Sequence, residues 1–131
     1  MVPEIRAADS PCLRILVVED DPFVRYIIAE ALRDQGVTVV EAASGVEAWD
    51  ALDTGITVDL IFTDHRMPGS ISGAELAAKV IDRWPSIVVV LTSGDYDGAG
   101  FLGRFIRKPY SLDDTVSELC LLAKAAKGFG E

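Results

Sequence analysis

The chain has 131 residues, half of them hydrophobic, and its 21 acidic and 12 basic side chains give a formal net charge of −9. This length suits one compact domain with a single core. The negative charge would repel a phosphate backbone, which argues against direct binding to nucleic acid. A single histidine, His65, leaves too few imidazoles for a histidine-based zinc site.

The cysteines and the apolar runs indicate where the protein resides. Cys12 and Cys120 are far apart in the sequence and form neither a metal-binding pattern nor a disulfide framework. No apolar run is long enough to cross a membrane, and residues 1–11 lack the apolar stretch of a signal peptide. We therefore expect a protein of the reducing cytoplasm that does not insert into a membrane.

Strand-like and helix-like segments alternate from Leu13 onward. The first strand is predicted over Leu13–Val18, after a polar leader at residues 1–12. Asp21 is the expected N-cap of the first helix, with a proline at the first helical position, and Gly36 ends that helix. A βα unit is therefore predicted at the start of the domain.

The second strand, predicted over 37–40, precedes a helix that begins after Ser44. Ser44 has a glutamate three positions later, which fits a capping box. The apolar spacing predicts that Val46, Trp49 and Leu52 face the core.

Two further strands surround a second capping box. The third strand is predicted over 58–63, and Ser72, again with a glutamate three positions later, begins a helix that runs to about Trp84. Proline follows Trp84 and discourages continuation of the helix. The fourth strand, 87–91, is uniformly apolar, as expected of a strand covered on both faces.

The last part of the chain departs from regular alternation. Residues 94–103 contain four glycines, and each interior glycine costs a helix up to about 1 kcal/mol relative to alanine. We therefore predict a loop or at most one helical turn there. A short strand at 105–106 and a helix from Ser111 to about Ala126 complete the chain.

This order of elements predicts an α/β fold, a doubly wound parallel sheet of five strands with helices on both faces. One domain is expected over residues 13–126, followed by a tail at 127–131. In such sheets, ligands bind at the carboxyl ends of the strands.

Polar side chains gather at those predicted strand ends. They are Glu19, Asp20 and Asp21 after the first strand, Asp64 after the third, Thr92 and Ser93 after the fourth, and Lys108 after the fifth. Clustered carboxylates repel one another unless a cation is present, and oxygen ligands of this kind suit Mg²⁺. A carboxylate can also act as the nucleophile in phosphoryl transfer, with Mg²⁺ and an ammonium neutralising the moving charge.

Four motifs resemble one family. The segments "ILVVEDD", "DLIFTDHRMPG", "VVVLTSG" and "IRKPY" are similar, in order and spacing, to the receiver domains of bacterial two-component response regulators. The resemblance implies a flavodoxin-like receiver fold, here with a fourth helix that is short or missing. It fits a stand-alone receiver or the receiver of a hybrid kinase.

The resemblance also implies a role for individual residues. Asp64 would accept a phosphoryl group from a histidine kinase or a histidine phosphotransfer protein, and Lys108, before a cis proline, would pair with the phosphoryl oxygens. Asp20 and Asp64 would bind Mg²⁺ directly, Glu19 through water and Arg66 through its backbone carbonyl. Asp21 is interpreted as a helix cap rather than a metal ligand.

The switch residues are less clearly indicated. "MPGSISG" has one residue more than the family spacing, and correcting for it places Ser93 at the switch hydroxyl, with Thr92 as the alternative. Phe105 matches the aromatic residue that changes rotamer on activation, although ordinary core packing explains it equally well.

The resemblance implies a binding module and not an enzyme, except that it would catalyse its own phosphorylation and dephosphorylation at Asp64. The expected output is a downstream protein partner or a phosphorylation-dependent dimer. One alternative is an Mg²⁺-dependent phosphohydrolase with an aspartate nucleophile, but such enzymes have an aspartate where this chain has Arg66. The other is a receiver that is never phosphorylated, against which Asp64, Asp20 and Lys108 all count.

Overall fold

The structure is a computed structural model that describes residues 12–128 except 68, 70, 96–100 and 102. Five strands and four helices make up this part of the chain, and they alternate except between the last two strands. The strands are β1 (Arg14–Val18), β2 (Thr38–Ala42), β3 (Leu60–Asp64), β4 (Val88–Ser93) and β5 (Arg104–Arg107). The helices are α1 (Pro22–Asp34), α2 (Gly45–Asp53), α3 (Gly73–Arg83) and α4 (Leu112–Lys127). The predicted α/β alternation is confirmed, with element ends shifted by a few residues.

All five strands pair in parallel, in the order β2-β1-β3-β4-β5. The strand order reverses between β1 and β3, so a crevice forms beyond the carboxyl ends of these two strands. The predicted doubly wound sheet is confirmed, and this edge is where its ligand site is expected.

Two apolar layers cover the sheet. One packs α1 and α4 on residues that include Ile15, Val17, Leu60, Phe62 and Val90. The other packs α2 and α3 on Leu16, Val18, Ile61 and Val89. Neighbouring residues of β1 and β3 therefore enter opposite layers, as the pleat of a strand requires. Burial on both faces explains why these strands are continuous apolar runs.

The predicted caps of α1 and α3 are present. The Asp21 carboxylate accepts hydrogen bonds from the backbone N–H groups of Phe23 and Val24, at 2.9 and 3.3 Å. Ser72 and Glu75 form a complete capping box, in which each side chain accepts a bond from the other's backbone N–H. These local bonds set where α1 and α3 begin.

Helix α2 differs from prediction in two details. Ser44 caps it, but the Glu47 carboxylate accepts from the Ala43 N–H at 2.7 Å, one residue before the cap, so the box is not reciprocal. Val46 is 41% exposed, so its predicted place in the core is wrong. On the face of α2 that packs against α3 and the sheet, Ala48 and Leu52 are buried.

The connection between β4 and β5 lacks a helix in its described residues, which are Gly94, Asp95, Phe101 and Gly103. The predicted loop over 94–103 otherwise falls on residues outside the described part of the chain. The same holds for the leader, except Cys12, and for the tail beyond Gly128. Among the described helices, none is both long and apolar enough to cross a bilayer.

Candidate functional site

Three carboxylates meet at the switch point of the sheet. Glu19 and Asp20 follow β1, and Asp64 is the last residue of β3. One carboxylate oxygen from each lies within 4.8 Å of the other two, the one such cluster found in the described part of the chain. Glu19 and Asp64 are buried, whereas Asp20 is exposed. The predicted acidic cluster is therefore assembled, with two members shielded from water.

Lys108 brings the compensating positive charge. Its Nζ lies 3.3 Å from Oδ2 of Asp64 and 3.8 Å from Oε1 of Glu19. Its backbone N–H donates to the Ser93 carbonyl at 2.9 Å, which extends the β4–β5 pairing to the site. The Lys108–Pro109 peptide bond is cis, as the family resemblance implied.

The carboxylates of Glu19, Asp20 and Asp64 supply the oxygen donors of a cation site. Desolvation is the main cause that raises the pKa of Glu19 to about 7, and Asp64 and Asp20 raise it further. The Asp21 N–H, which donates to Glu19 Oε2 at 3.1 Å, and Lys108 oppose this shift. One ammonium beside three acids leaves negative charge uncompensated, and hard oxygen donors of this kind fit Mg²⁺. The residues therefore match the predicted ion.

Tyr110 lies close enough to the acidic cluster to feel its charge. Its ring packs edge-on against Phe62, with 6.0 Å between the centroids. Burial, and then the charges of Glu19 and Asp64, raise the pKa of Tyr110 to about 12. The phenol is therefore neutral at physiological pH and adds no further negative charge.

The two candidate switch hydroxyls point in different directions. Ser93 lines an open depression of about 360 Å³ at the site. The depression is lined by Asp64, Arg66, Ser93, Gly94, Asp95 and Lys108. Thr92 pairs with Asp64 in the sheet, and its Oγ1 is buried without a hydrogen-bond partner among the described residues. Of the two hydroxyls, the structure brings Ser93 to the depression.

Asp95 holds the Ser93 hydroxyl, a contact that the sequence reasoning missed. The Ser93 hydroxyl donates to Oδ1 of Asp95 at 2.9 Å, and the Asp95 N–H donates back to Ser93 Oγ at 3.3 Å. Arg66 Nη2 pairs with the other oxygen, Oδ2, at 2.8 Å. These two donors, Ser93 first, lower the pKa of Asp95. The only sequence signal was an acid two positions after the hydroxyl, in a segment interpreted as a loop.

Phe105 lies half-buried on β5, directly opposite Leu91 of β4. Since side chains alternate along a strand, Phe105 shares its face of the sheet with Leu91 and Ser93. The structure therefore puts the predicted aromatic residue on the same face as the Ser93 hydroxyl.

Gly73 lets α3 start against the loop that follows Asp64. A Cβ at Gly73 would collide with the Asp64 carbonyl oxygen and lie 2.7 Å from His65 Cα. The Gly73 N–H donates to the His65 carbonyl at 2.8 Å, and the His65 N–H donates to the Thr92 carbonyl at 2.9 Å. The backbone that follows Asp64 is therefore held both by hydrogen bonds and by close packing against Gly73.

Comparisons with known proteins agree with this fold. A model of the response regulator receiver domain family matches residues 15–117. The transcriptional regulatory protein TcrA of Mycobacterium tuberculosis is 33% identical over 119 residues, covering 86% of this chain and 46% of TcrA. The chain spans less than half the length of the curated relatives it matches.

Two solved structures are similar as well. The receiver domain of the hybrid histidine kinase CckA superposes with a TM-score of 0.70 at 33% identity, covering 84% of this chain and 98% of that one. The response regulator protein TrrA of Thermotoga maritima, in complex with Mg²⁺ and BeF, has a TM-score of 0.75 at 28% identity, with the same coverage.

Proposed function

Because the chain belongs to the response regulator receiver domain family, we propose that Asp64 accepts a phosphoryl group in a two-component phosphorelay. The donor is a histidine kinase or a histidine phosphotransfer protein, and the transfer depends on Mg²⁺. The observation that carries this proposal is the contact of 3.3 Å between Asp64 Oδ2 and the Lys108 ammonium, beside two further carboxylates.

The proposed transfer replaces a phosphorus–nitrogen bond with a phosphorus–oxygen bond. An oxygen of Asp64 attacks phosphorus, and the donor imidazole leaves with the electron pair of the broken bond. Lys108, already in contact with Asp64, then pairs with the phosphoryl oxygens and neutralises part of their charge.

Mg²⁺ would neutralise the remaining charge, held by Asp20, Asp64 and the Arg66 carbonyl, with Glu19 acting through water. Asp20 is the exposed member of the cluster and so can reach an ion that keeps several waters. Glu19 is buried and bonded to the Asp21 N–H, which favours an indirect role.

The output of the phosphorylated state passes through Ser93. The phosphoryl group offers new acceptor oxygens in the depression that Ser93 lines, and the hydroxyl turns from Asp95 to one of them. Phe105, on the same face of the sheet, then changes rotamer and alters the surface presented to a downstream protein partner or to a second copy.

An exposed apolar patch beside the site supports a protein donor. Phe23, Tyr26 and Ile27 lie on the first turns of α1, directly after the acidic residues, with exposed fractions of 69%, 58% and 37%. Grouped apolar side chains at a surface mark protein contacts. The net charge of −9 argues that the partner is not nucleic acid, and we assign the protein to the cytoplasm.

The phosphohydrolase alternative is less well supported. In that class a second aspartate two residues after the nucleophile serves as the acid, and Arg66 occupies that position here. The Arg66 side chain pairs with Asp95, and a guanidinium does not release a proton at neutral pH, so it cannot replace that acid.

The test is to incubate the full chain with Mg²⁺ and acetyl phosphate and to map the acid-labile phosphoryl group by mass spectrometry. We expect one phosphoryl group on Asp64, none on the Asp64→Asn variant, and none when EDTA removes the metal. A label on another residue, or no label at all, would contradict the proposal.

A further inference from the structure

Arg25 connects the acidic turn to two other elements of the fold. It lies on α1, and its Nη1 donates to the Glu19 carbonyl at 2.8 Å. Its Nε pairs with Oε1 of Glu41, on β2, at 3.2 Å. The Arg25 side chain is only 20% exposed, so most of it is packed against the protein.

The Glu19 carbonyl is part of the peptide group that leads into Asp20. Since a peptide group is planar, an anchor on that carbonyl also sets the direction in which the chain enters Asp20. The Glu19 N–H donates to the Ala42 carbonyl at 3.0 Å, so the residue is held on both of its backbone groups. The Arg25 bond is the one of these two that lies next to Asp20.

We propose that Arg25 is a positioning residue for the acidic turn: through the Glu19 carbonyl it orients Asp20 toward the metal. This inference rests on the proposed function, in which Asp20 is a direct Mg²⁺ ligand. Arg25 itself does not touch the metal, and Glu41 balances its charge.

Charge and geometry make opposite predictions for this arginine. Removing a positive charge near a dication lowers repulsion, so an electrostatic role alone predicts tighter Mg²⁺ binding when Arg25 is replaced. Removing an anchor lets the acidic turn move, so a positioning role predicts weaker binding. Loss of a residue that orients a metal ligand typically lowers metal affinity about 10- to 100-fold.

Arg33 offers a matched control. It lies on the same helix and also pairs with Glu41, through Nη2 at 3.0 Å. Its other contacts, to Glu30 and to the Val39 carbonyl, do not involve the acidic turn. Arg33→Ala therefore removes the same charge and the same kind of ion pair while the Glu19 carbonyl keeps its donor.

The experiment measures the Mg²⁺ dissociation constant of the full chain by isothermal titration calorimetry. We expect Arg25→Ala to weaken binding about tenfold, Arg33→Ala to leave it unchanged or slightly tighter, and Arg25→Lys to recover part of the loss. Lysine keeps the positive charge but lacks the fork through which Nε and Nη1 of Arg25 reach two separate acceptors, so the recovery is incomplete.

The inference is overturned if Arg25→Ala binds Mg²⁺ as tightly as Arg33→Ala. Circular dichroism in EDTA establishes that each variant is folded, and should Arg25→Ala not fold, the comparison of Arg25→Lys with Arg33→Lys decides. Wild-type protein that binds Mg²⁺ but takes no label on Asp64 contradicts the proposed function alone. Wild-type protein that binds no Mg²⁺ contradicts both.

Discussion

The Ser93 hydroxyl donates a hydrogen bond of 2.9 Å to the Asp95 carboxylate, so the proposed switch residue already has an anionic acceptor before any phosphoryl group arrives. Arg66 pairs with the second oxygen of the same carboxylate. A phosphoryl group on Asp64 would place a competing anion in the same depression. Asp95 and a phosphoryl group on Asp64 would therefore compete for the Ser93 hydroxyl.

Replacing Asp95 with alanine should speed phosphorylation of Asp64. The variant removes a negative charge that repels the incoming group, so we expect a several-fold higher rate with acetyl phosphate. Asp82→Ala, an exposed acid on α3, controls for the change in net charge. A slower rate in Asp95→Ala would show that Asp95 assists the transfer.

Ser93→Ala and Thr92→Ala should separate the two hydroxyls. Ser93 lines the depression, so its loss should leave phosphorylation of Asp64 largely intact but remove the accompanying change at Phe105. The ring resonances of Phe105, recorded by NMR with and without acetyl phosphate and Mg²⁺, report that change. Thr92→Ala should have the milder effect, and a loss of coupling in that variant instead would assign the switch to Thr92.

Asp20→Asn should weaken Mg²⁺ binding at least about tenfold, because it removes one unit of charge from the residue proposed as a direct ligand. Calorimetry measures the affinity, and the rate of phosphorylation should fall with it. Asp21→Asn is the matched control, since asparagine remains a good N-cap and the Asp21 carboxylate is engaged by the backbone of α1. Equal Mg²⁺ affinities in the two variants would mean that the acids are misassigned.

The raised pKa of Glu19 predicts a pH dependence of stability in EDTA. A carboxyl that titrates at about 7 when folded and 4.5 when unfolded binds its proton more tightly in the folded state. Its stabilising contribution is therefore complete below pH 4.5 and is lost as the pH rises through 7. Between pH 5 and 7.5 the free energy of unfolding should fall by an amount on the order of 2 kcal/mol.

Glu19→Gln isolates this contribution, because glutamine has nothing to titrate. Both proteins are unfolded in urea across this pH range, in EDTA. The free energy of unfolding of the wild type should fall relative to that of Glu19→Gln as the pH rises. A wild-type protein that gains stability relative to Glu19→Gln as the pH rises would contradict the assignment of the raised pKa to Glu19.

Much of the architecture was predictable because its causes are local. Asp21, Ser72 and the apolar runs act on neighbouring residues in the chain, so the starts of α1 and α3 and the presence of five strands could be inferred without the fold. The acids and the lysine could be placed in one site for a related reason. Parallel strands deliver their carboxyl ends to the same edge, so a residue's position at a strand end is enough.

Contacts between distant segments were not predictable in the same way. Alternation along β4 requires Thr92 and Ser93 to face opposite sides, but which side meets the depression depends on how β4 lies between β3 and β5. The prediction that Val46 lies in the core was wrong for the same reason. Helical spacing defines an apolar face of α2, but it does not fix the rotation of that helix against α3 and the sheet.

The pairing of Asp95 with Ser93 and Arg66, and of Arg25 with the Glu19 carbonyl, had no periodic signal at all. A periodic pattern records which face of an element is apolar. The partner of a single polar side chain depends on distances that exist only after the elements have packed together. The tertiary structure alone therefore determined these contacts.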